Sequence, residues 1–497
     1  MRLINAKTLL LHEFYGTNIP PYAILSHTWG DDEVTFKDWD NPSQARQKAG
    51  FAKIRGVCSK ALDHNINWVW VDTNCIDKTS SAELTEAINS MFGWYARAEI
   101  CYAYLSDVPS ANAPVEDIGR SRWFTRGWTL QELLAPKKVT FYAADWSRLG
   151  SKAASLADVI SEATGIHRCF LTGTTPVQRA CIAEKMSWLS KRTTTRTEDM
   201  AYCMLGLFEI NMPLLYGEGA KAFTRLQHEI ISTSNDHTIF CWTWDESVPQ
   251  GWMSFLAPSP AQFSRSSVFT PARILAPNEF ADQEVSTYSM TNAGLSIRLP
   301  VIYTLRASFV VFEASPKEQH GDNKMLTCFQ VCGYRRGGVL FVMRAPFPRQ
   351  PVFIPRMSRL HLTMKTIIVM NRLDNAVAAM GWRSAMPGWA SNAMLERVEA
   401  PGQFKIPGII LAFDSRDVKK RWGILEQSHA VINNYFGVIK FDLTGSHSGA
   451  GPQVGAVLIH MVAEDGNRMR IAVGVKVDQH TVQPTWTPYS SASLRVR

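Results

Sequence analysis

The sequence of 497 residues lacks any apolar stretch close to the roughly 18 residues that a membrane-spanning helix needs, so no membrane span is expected. The opening MRLINAKTLLLHEF holds only Leu9 to Leu11 as an apolar run, with no small-residue cleavage site behind it, and is not read as a secretory signal. Long polar or low-complexity tracts are missing, which argues against disorder. There are nine cysteines, an odd number at irregular spacing, so a disulfide framework is not expected and a reducing, cytoplasmic location fits. Cys328 and Cys332 form a lone C-x3-C pair without a second pair, so no zinc site, and no metal, is expected. The chain has no G-x4-G-K-[ST], no G-x-S-x-G and no H-E-x-x-H. That removes support for P-loop, serine-hydrolase and zinc-protease chemistry. Gly217-Glu-Gly219 is a bare G-x-G that reads as a helix boundary, and Gly445-Ser-His-Ser-Gly449, with His at its centre, reads as a loop.

What is present is globular. Apolar residues make up 46% and charged residues 19% of the chain, enough for more than one core, and the length calls for two or three domains. The net charge of +8 is spread out, with one modest cluster at Arg335, Arg336, Arg344, Arg349, Arg356 and Arg359. We read that cluster as a solvated face in preference to a surface for nucleic acid or acidic lipid.

Residues 1–150 alternate strand-like and helix-like runs. Tyr22-Ala-Ile-Leu-Ser26, Trp68-Val-Trp-Val71, Ile100-Cys-Tyr-Ala-Tyr-Leu105 and Val139-Thr-Phe-Tyr142 read as strands. Between them lie helical stripes at Phe51–Leu62, at Leu84–Tyr95 behind a Ser80/Glu83 capping box, and at Trp128–Leu134, stopped by Pro136. This order predicts a parallel sheet covered on both faces, with a ligand site outside the strand carboxyl ends. Those ends are Ser26-His27, Asp72-Thr73-Asn74 and Ser106-Asp107. Residues 151–240 read as a helical extension. Residues 241–497 switch to period-two and continuous strand patterns, at Leu295–Leu299, Phe309–Phe312, Val339–Met343, Ile367–Met370, Val457–Val462 and Ile471–Val477, and predict an antiparallel sandwich or barrel.

Taken one at a time, the polar residues of the rim have plain readings. Asp72 suits a turn or helix cap, His27 a loop histidine, Cys75 a buried loop thiol, Glu132 a solvated helix glutamate, and Trp29 and Trp128 packed core aromatics.

Three blocks, however, resemble a known family in order. Tyr22-Ala-Ile-Leu-Ser-His-Thr-Trp-Gly30 resembles the opening block of the fungal heterokaryon-incompatibility (HET) domain. Trp70-Val-Asp-Thr-Asn-Cys-Ile-Asp-Lys78 with Glu86-Ala-Ile-Asn-Ser-Met91 resembles its central block, and Arg122 to Pro136 its third. Thr197-Glu-Asp-Met-Ala-Tyr202 and Leu215-Tyr-Gly-Glu-Gly219 resemble what usually follows, so the likeness covers about residues 1–240. Leu256-Ala-Pro-Ser-Pro260 and Thr291-Asn-Ala-Gly-Leu295 resemble the tails of such proteins, to which no activity attaches.

The resemblance implies a module of TIR/flavodoxin-like α/β type that triggers cell death when unlike fungal cells fuse. It implies self-association through this domain and a protein partner in allorecognition. The Ser121-Arg-Trp123 to Leu133 stretch is similar to the Ser-x-Trp-Cys-x-x-Glu-Leu stretch of TIR domains, although Thr129 stands where Cys is usual and Trp-Phe-Thr-Arg-Gly lengthens it. Matched this way, Glu132 takes the position that cleaves the nicotinamide–ribose bond of NAD, and residues 73–81 take that of the gating loop. NAD is then a substrate and no cofactor is implied. Ser26, His27, Trp29, Asp72, Asn74 and Trp128 are the candidate substrate-binding residues, the two tryptophans as stacking faces for nicotinamide or adenine. The competing expectation is a non-enzymatic adaptor that signals by oligomerising, with the carboxyl-terminal half as sensor or inhibitor.

Overall fold

A computed structural model describes residues 1–272 except 17, 250, 251 and 253, then 288–303, 308–317, 325–336, 339–344, 352–355 and 364–370. Beyond these it describes eight strands between residues 393 and 488. Two compact units emerge, Met1–Thr233 with Pro258–Ser267, and Ser234–Ala257 with Val268–Arg497.

The first unit is built on a seven-stranded sheet. Its strands are β1 (Arg2–Asn5), β2 (Leu11–Glu13), β3 (Ala23–His27), β4 (Trp68–Trp70), β5 (Ile100–Tyr104), β6 (Val139–Tyr142) and β7 (Arg148–Ser151), in the order β2-β1-β4-β3-β5-β6-β7. The four strands read from the sequence pair in parallel, β3 with β4 and β5, and β5 with β6. Their order, β4-β3-β5-β6, is the doubly wound arrangement. All five residues of β3 are buried, as expected for a central strand covered on both faces.

Three strands escaped the sequence pattern: β1, β2 and β7 are short and antiparallel, with β2 and β7 at the two edges and β1 between β2 and β4. An edge strand need not alternate cleanly, because only part of it meets the core.

Helix α1 (Phe51–Asp63) buries Ile54, Val57, Cys58 and Ala61, and helix α2 (Ser81–Arg97) buries Ala87, Ile88, Met91 and Tyr95, which are the stripes the spacing predicts. At the start of α2 the Ser80 hydroxyl accepts from Glu83 N at 3.3 Å, but the capping box is not reciprocal. The Glu83 carboxylate binds Arg2 and accepts from Asp77 N at 2.8 Å instead. A charged partner from β1 outcompetes the backbone amide of Ser80.

Helix α3 (Thr129–Leu134) is only six residues long and every one is buried. A helix this short is not stable by itself. It is held from outside: Lys152 Nζ donates to Leu133 O at 2.9 Å and also binds Pro136 O, satisfying carbonyls at its carboxyl end. Burial lowers the Lys152 amine to about 8. Thr129 Oγ1 donates to Trp123 O at 2.6 Å, tying the helix to the preceding turn.

The segment after β7 is helical, with α4 (Ala157–Thr164), α5 (Ile182–Leu189), α6 (Leu205–Phe208) and α7 (Lys221–Thr233). The apolar run from Ala201 to Ile210 is two short buried helical pieces, not one helix. On α6, Gly206 meets α2 closely, since a Cβ there would lie 2.0 Å from Phe92 Cβ. Gly206→Ala should therefore overpack the unit and destabilise it by about 1–3 kcal/mol, read as a fall in the urea midpoint. An unchanged midpoint would mean that the two helices slide apart at no cost.

In the second unit, β8 (Gly294–Tyr303), β9 (Ser308–Phe312), β10 (Met325–Arg336), β11 (Val339–Arg344) and β12 (Met364–Val369) close into a five-stranded barrel, β9-β8-β12-β11-β10 and back to β9. Leu295, Ile297, Leu299 and Val301 alternate inward along β8. One pair, β11 with β12, is parallel, against the expectation of a wholly antiparallel unit. The chain between Arg344 and Met364 is long enough for the crossover that parallel pairing requires. Further strands form two antiparallel four-stranded sheets, and these include Gln453–Val462 and Arg468–Val477.

Arg344 departs from the reading of its cluster as a solvated face, which the structure tests at this one residue of the six. It is 2% exposed, with its guanidinium 3.8 Å from the Trp242 ring centroid and 4.1 Å from that of Phe329, and burial lowers it to about 9. Stacking on aromatic faces offsets part of the cost of burying the charge. Arg349, Arg356 and Arg359 lie outside the described residues, as does Gly445–Gly449. Among the described residues the cysteines are free thiols, no group of His, Cys, Asp and Glu could hold a metal ion, and no helix is long and apolar enough to cross a membrane.

Candidate functional site

A cleft of about 300 Å3 opens outside the carboxyl ends of β3 and β4. That is the lower end of the size range of small-molecule sites, roughly 300–1,000 Å3. Its walls come from the turn after β3 (His27 and Trp29), the segment after β4 (Asp72 and Lys78), the apolar face of α2, and α3 with Trp128 and Glu132. The stretch 195–216 of the helical extension completes it, through Arg196, Asp199 and Tyr216 among others.

Glu132 lines this cleft and is 8% exposed, so it is not the solvated helix glutamate that its sequence surroundings also allowed. Its Oε2 accepts a hydrogen bond from the Ser26 hydroxyl, whose oxygen in turn accepts from Trp123 Nε1 at 2.8 Å. Ser26 is fully buried behind the cleft and acts on it through Glu132. Burial pushes the Glu132 carboxyl up to about 8, against the Ser26 and Tyr95 hydroxyls and Arg192, which favour the ionised form.

Asp72 gathers a second set of contacts. His27 Nε2 lies 3.0 Å from its Oδ1, Trp29 Nε1 donates to Oδ2 at 3.0 Å, and Lys78 Nζ donates to Oδ2 at 3.3 Å. Lys78 also sits 3.5 Å from the centroid of the Trp29 ring. Burial works to raise the Asp72 carboxyl, but Lys78 and His27 outweigh it and hold it well below the usual carboxylate range. Burial lowers the Lys78 amine. The cleft thus holds two carboxyl groups whose surroundings push them in opposite directions. One is mainly protonated at neutral pH and the other ionised, a separation typical of acid–base sites.

Trp29 is about half exposed, at 49%. Trp128 lines the cleft and hydrogen-bonds Asp199, whose carboxyl is raised by burial and also takes Tyr216 OH at 3.0 Å. Neither Ser26 nor Asn74 lines the cleft: Ser26 lies behind it, and Asn74 faces away from it. Asn74 Nδ2 donates to Val34 O at 2.9 Å and its Oδ1 accepts from Thr73, so the fully buried amide is spent on holding the segment after β4. The residues without an assigned role in the sequence reading are Lys78, Arg126, Arg196, Asp199 and Tyr216. Lys78, Arg126, Asp199 and Tyr216 lie inside the quoted blocks, where only their type and not their partners could be read. Arg192, buried and lowered to about 10 by that burial, donates to Arg126 O at 2.8 Å and to Thr129 Oγ1 at 3.0 Å beneath α3.

The raised Glu132 carboxyl has a consequence for stability. An acid with an ordinary value near 4.5 that is held to about 8 when folded keeps its proton where the unfolded chain loses it. Stability is therefore greatest below the unfolded value and is lost as pH rises toward the folded one, by at most about 1.4 kcal/mol per pH unit. Glu132→Gln, which carries no titrating group, should flatten urea stability between pH 5 and pH 8 relative to the parent chain. Parallel curves for the two proteins would contradict a buried, proton-holding carboxyl.

Comparison with known proteins agrees with the sequence blocks. The family model described as heterokaryon incompatibility protein (HET) matches residues 22–114, a span that includes His27, Trp29, Asp72 and Asn74 and ends before Glu132. The vegetative incompatibility protein HET-E-1 of Podospora anserina is 46% identical over 222 residues, which cover 43% of this chain and 16% of that protein. No solved structure matches. With its parallel sheet flanked by helices, and with these blocks in place on it, the amino-terminal part of the chain carries a region that matches the heterokaryon-incompatibility (HET) domain.

Proposed function

We propose that this chain acts in heterokaryon (vegetative) incompatibility as a TIR-like, cytoplasmic trigger of cell death, and that its cleft hydrolyses the nicotinamide–ribose bond of NAD once the domain self-associates. The observation that carries the reading is Glu132: a buried carboxyl held by the Ser26 hydroxyl in a cleft with aromatic walls.

The chemistry needs little more. The bond between ribose C1′ and the pyridinium nitrogen breaks with its electron pair passing to the ring, so nicotinamide departs neutral and needs no general acid. The ribose is left as an oxocarbenium-like centre. Water adds at C1′ and releases a proton, giving ADP-ribose. An ionised Glu132 beside C1′ stabilises the positive centre electrostatically. Burial keeps the carboxyl mainly protonated at neutral pH, and a cationic pyridinium beside it favours its ionised form, so substrate binding is coupled to proton release. Ser26 orients the carboxylate, and Trp29 and Trp128 offer stacking faces.

The test is incubation of the purified chain with NAD at high protein concentration, with nicotinamide measured by chromatography. Release dependent on Glu132 is expected. No release from a folded, oligomeric protein would end the enzymatic reading. The second reading, an adaptor that signals by oligomerising with a protein partner in allorecognition, is favoured by the open edge at β2, where Leu10 is 58% exposed and Tyr15 72% exposed. Cell death that persists in Glu132→Gln would select it.

A further inference from the structure

Two cations line the cleft with no carboxylate paired to them. Arg126 Nη2 donates to Thr195 Oγ1 at 2.9 Å, and the Arg196 guanidinium lies 4.4 Å from the centroid of the Tyr216 ring. Among the described residues neither forms an ion pair. The nearby acids Glu198 and Asp199 feel the Arg196 charge without forming an ion pair with it, and their hydrogen bonds go to other groups. Glu198 Oε1 accepts from Gly217 N at 2.8 Å and Gly219 N at 3.0 Å, and Asp199 takes the Tyr216 hydroxyl and the Trp128 indole.

The two arginines are brought together by backbone pairing between distant segments. Gly127 N donates to Thr193 O at 2.9 Å and Thr193 N to Thr125 O at 2.7 Å, and Arg126 and Thr193 form a parallel bridge. A Cβ on residue 127 would lie 2.5 Å from Thr194 Cγ2, so glycine allows this approach. The Arg126 carbonyl is fixed in turn by buried Arg192.

We propose that Arg126 and Arg196 form a subsite for the phosphate groups of a nucleoside diphosphate whose ribose lies at Glu132. The inference rests on the nucleotide reading above and assigns its charged half. Guanidinium groups match phosphate oxygens in planar, two-pronged geometry, and they keep their charge in a partly apolar cleft. Holding the diphosphate would leave the pyridinium–ribose half to occupy the enclosed part of the cleft, where α2 supplies apolar walls. Two charges on the lining also explain how a cleft of about 300 Å3 selects a ligand larger than itself: the anionic part is held at the rim, where Arg196 is exposed.

Isothermal titration calorimetry of the full chain with ADP-ribose, and with adenosine as an uncharged control, tests this. The parent chain should bind ADP-ribose more tightly than adenosine, with an affinity that falls as salt rises. Arg126→Ala with Arg196→Ala should weaken ADP-ribose by about 100-fold, roughly 10-fold per arginine, and leave adenosine unchanged. The exposed Arg196→Glu variant, which leaves the buried packing untouched, should weaken ADP-ribose in the same direction. Unchanged ADP-ribose affinity in both variants, or no binding by the parent chain, overturns the subsite. Nicotinamide release with an unaltered KM for NAD in the double variant also overturns it and leaves the hydrolase reading standing. Arginine-dependent ADP-ribose binding without nicotinamide release removes the hydrolase reading and leaves the subsite.

Discussion

Glu132→Gln is expected to lower the rate of nicotinamide release from NAD by about 100- to 1,000-fold, the size of effect seen when a single preorganised electrostatic group is removed from a transition state. The glutamine keeps the volume and can still take the Ser26 hydroxyl, so the loss should fall on kcat, with KM and the folded state little changed. Glu132→Asp retains the charge but withdraws it by one methylene, and should lose less. The pH profile gives an independent check. If the ionised carboxylate is the working form, activity at limiting NAD rises with pH toward the value near 8 that burial imposes, and that rise is absent from whatever activity Glu132→Gln retains. A glutamine variant that releases nicotinamide at the parent rate removes Glu132 from the reaction.

The second large effect concerns the group behind the carboxylate. Trp123 is fully buried, packs edge-to-face on Phe124 and Phe141 with interplanar angles of 83° and 84°, and donates from Nε1 to Ser26 Oγ. Trp123→Ala should cost about 3–5 kcal/mol by opening a cavity among these rings, enough to unfold most of a domain of ordinary stability at moderate urea. Trp123→Phe restores much of the packing but not the hydrogen bond. It should recover most of the urea midpoint, while the Glu132 carboxyl, supported by a serine that has lost its donor, should depend differently on pH in any NAD cleavage assay. If the alanine variant unfolds at the parent midpoint, the cluster contributes no stability. If the phenylalanine variant matches the parent in both stability and pH profile, the indole N–H has no part in holding Ser26.

Several of these residues could be singled out before any coordinates. The apolar runs ending in Ser26-His27 and in Asp72 mark strand ends, and in a parallel sheet strand ends are where ligands bind. Both now lie at the same end of β3 and β4. Glu132, taken alone, read as a solvated helix glutamate and came forward only through the resemblance of its stretch to TIR domains. Asn74 shared the strand-end signal with Asp72, two positions earlier, yet its amide serves Val34, because the turn after β4 aims neighbouring side chains in different directions. Local spacing cannot distinguish the two. Strands β1, β2 and β7 were missed for a related reason: they are antiparallel additions outside the strand–helix alternation that marks the four parallel strands, and they lack the continuous buried apolar run that made the equally short β4 and β6 visible.

Sequence alone determined the order of elements in the parallel sheet, the β-rich character of the second unit and the likeness of the amino-terminal part to the HET domain, because each depends on patterns laid out along the chain. Only the tertiary structure decided that Arg196, Asp199 and Tyr216 share a cleft with Glu132 and Asp72, and that the two carboxyl groups are driven apart in acidity. Desolvation and charge pairing are set by what packs around a group in three dimensions, and here the neighbours that matter arrive from segments far away along the chain.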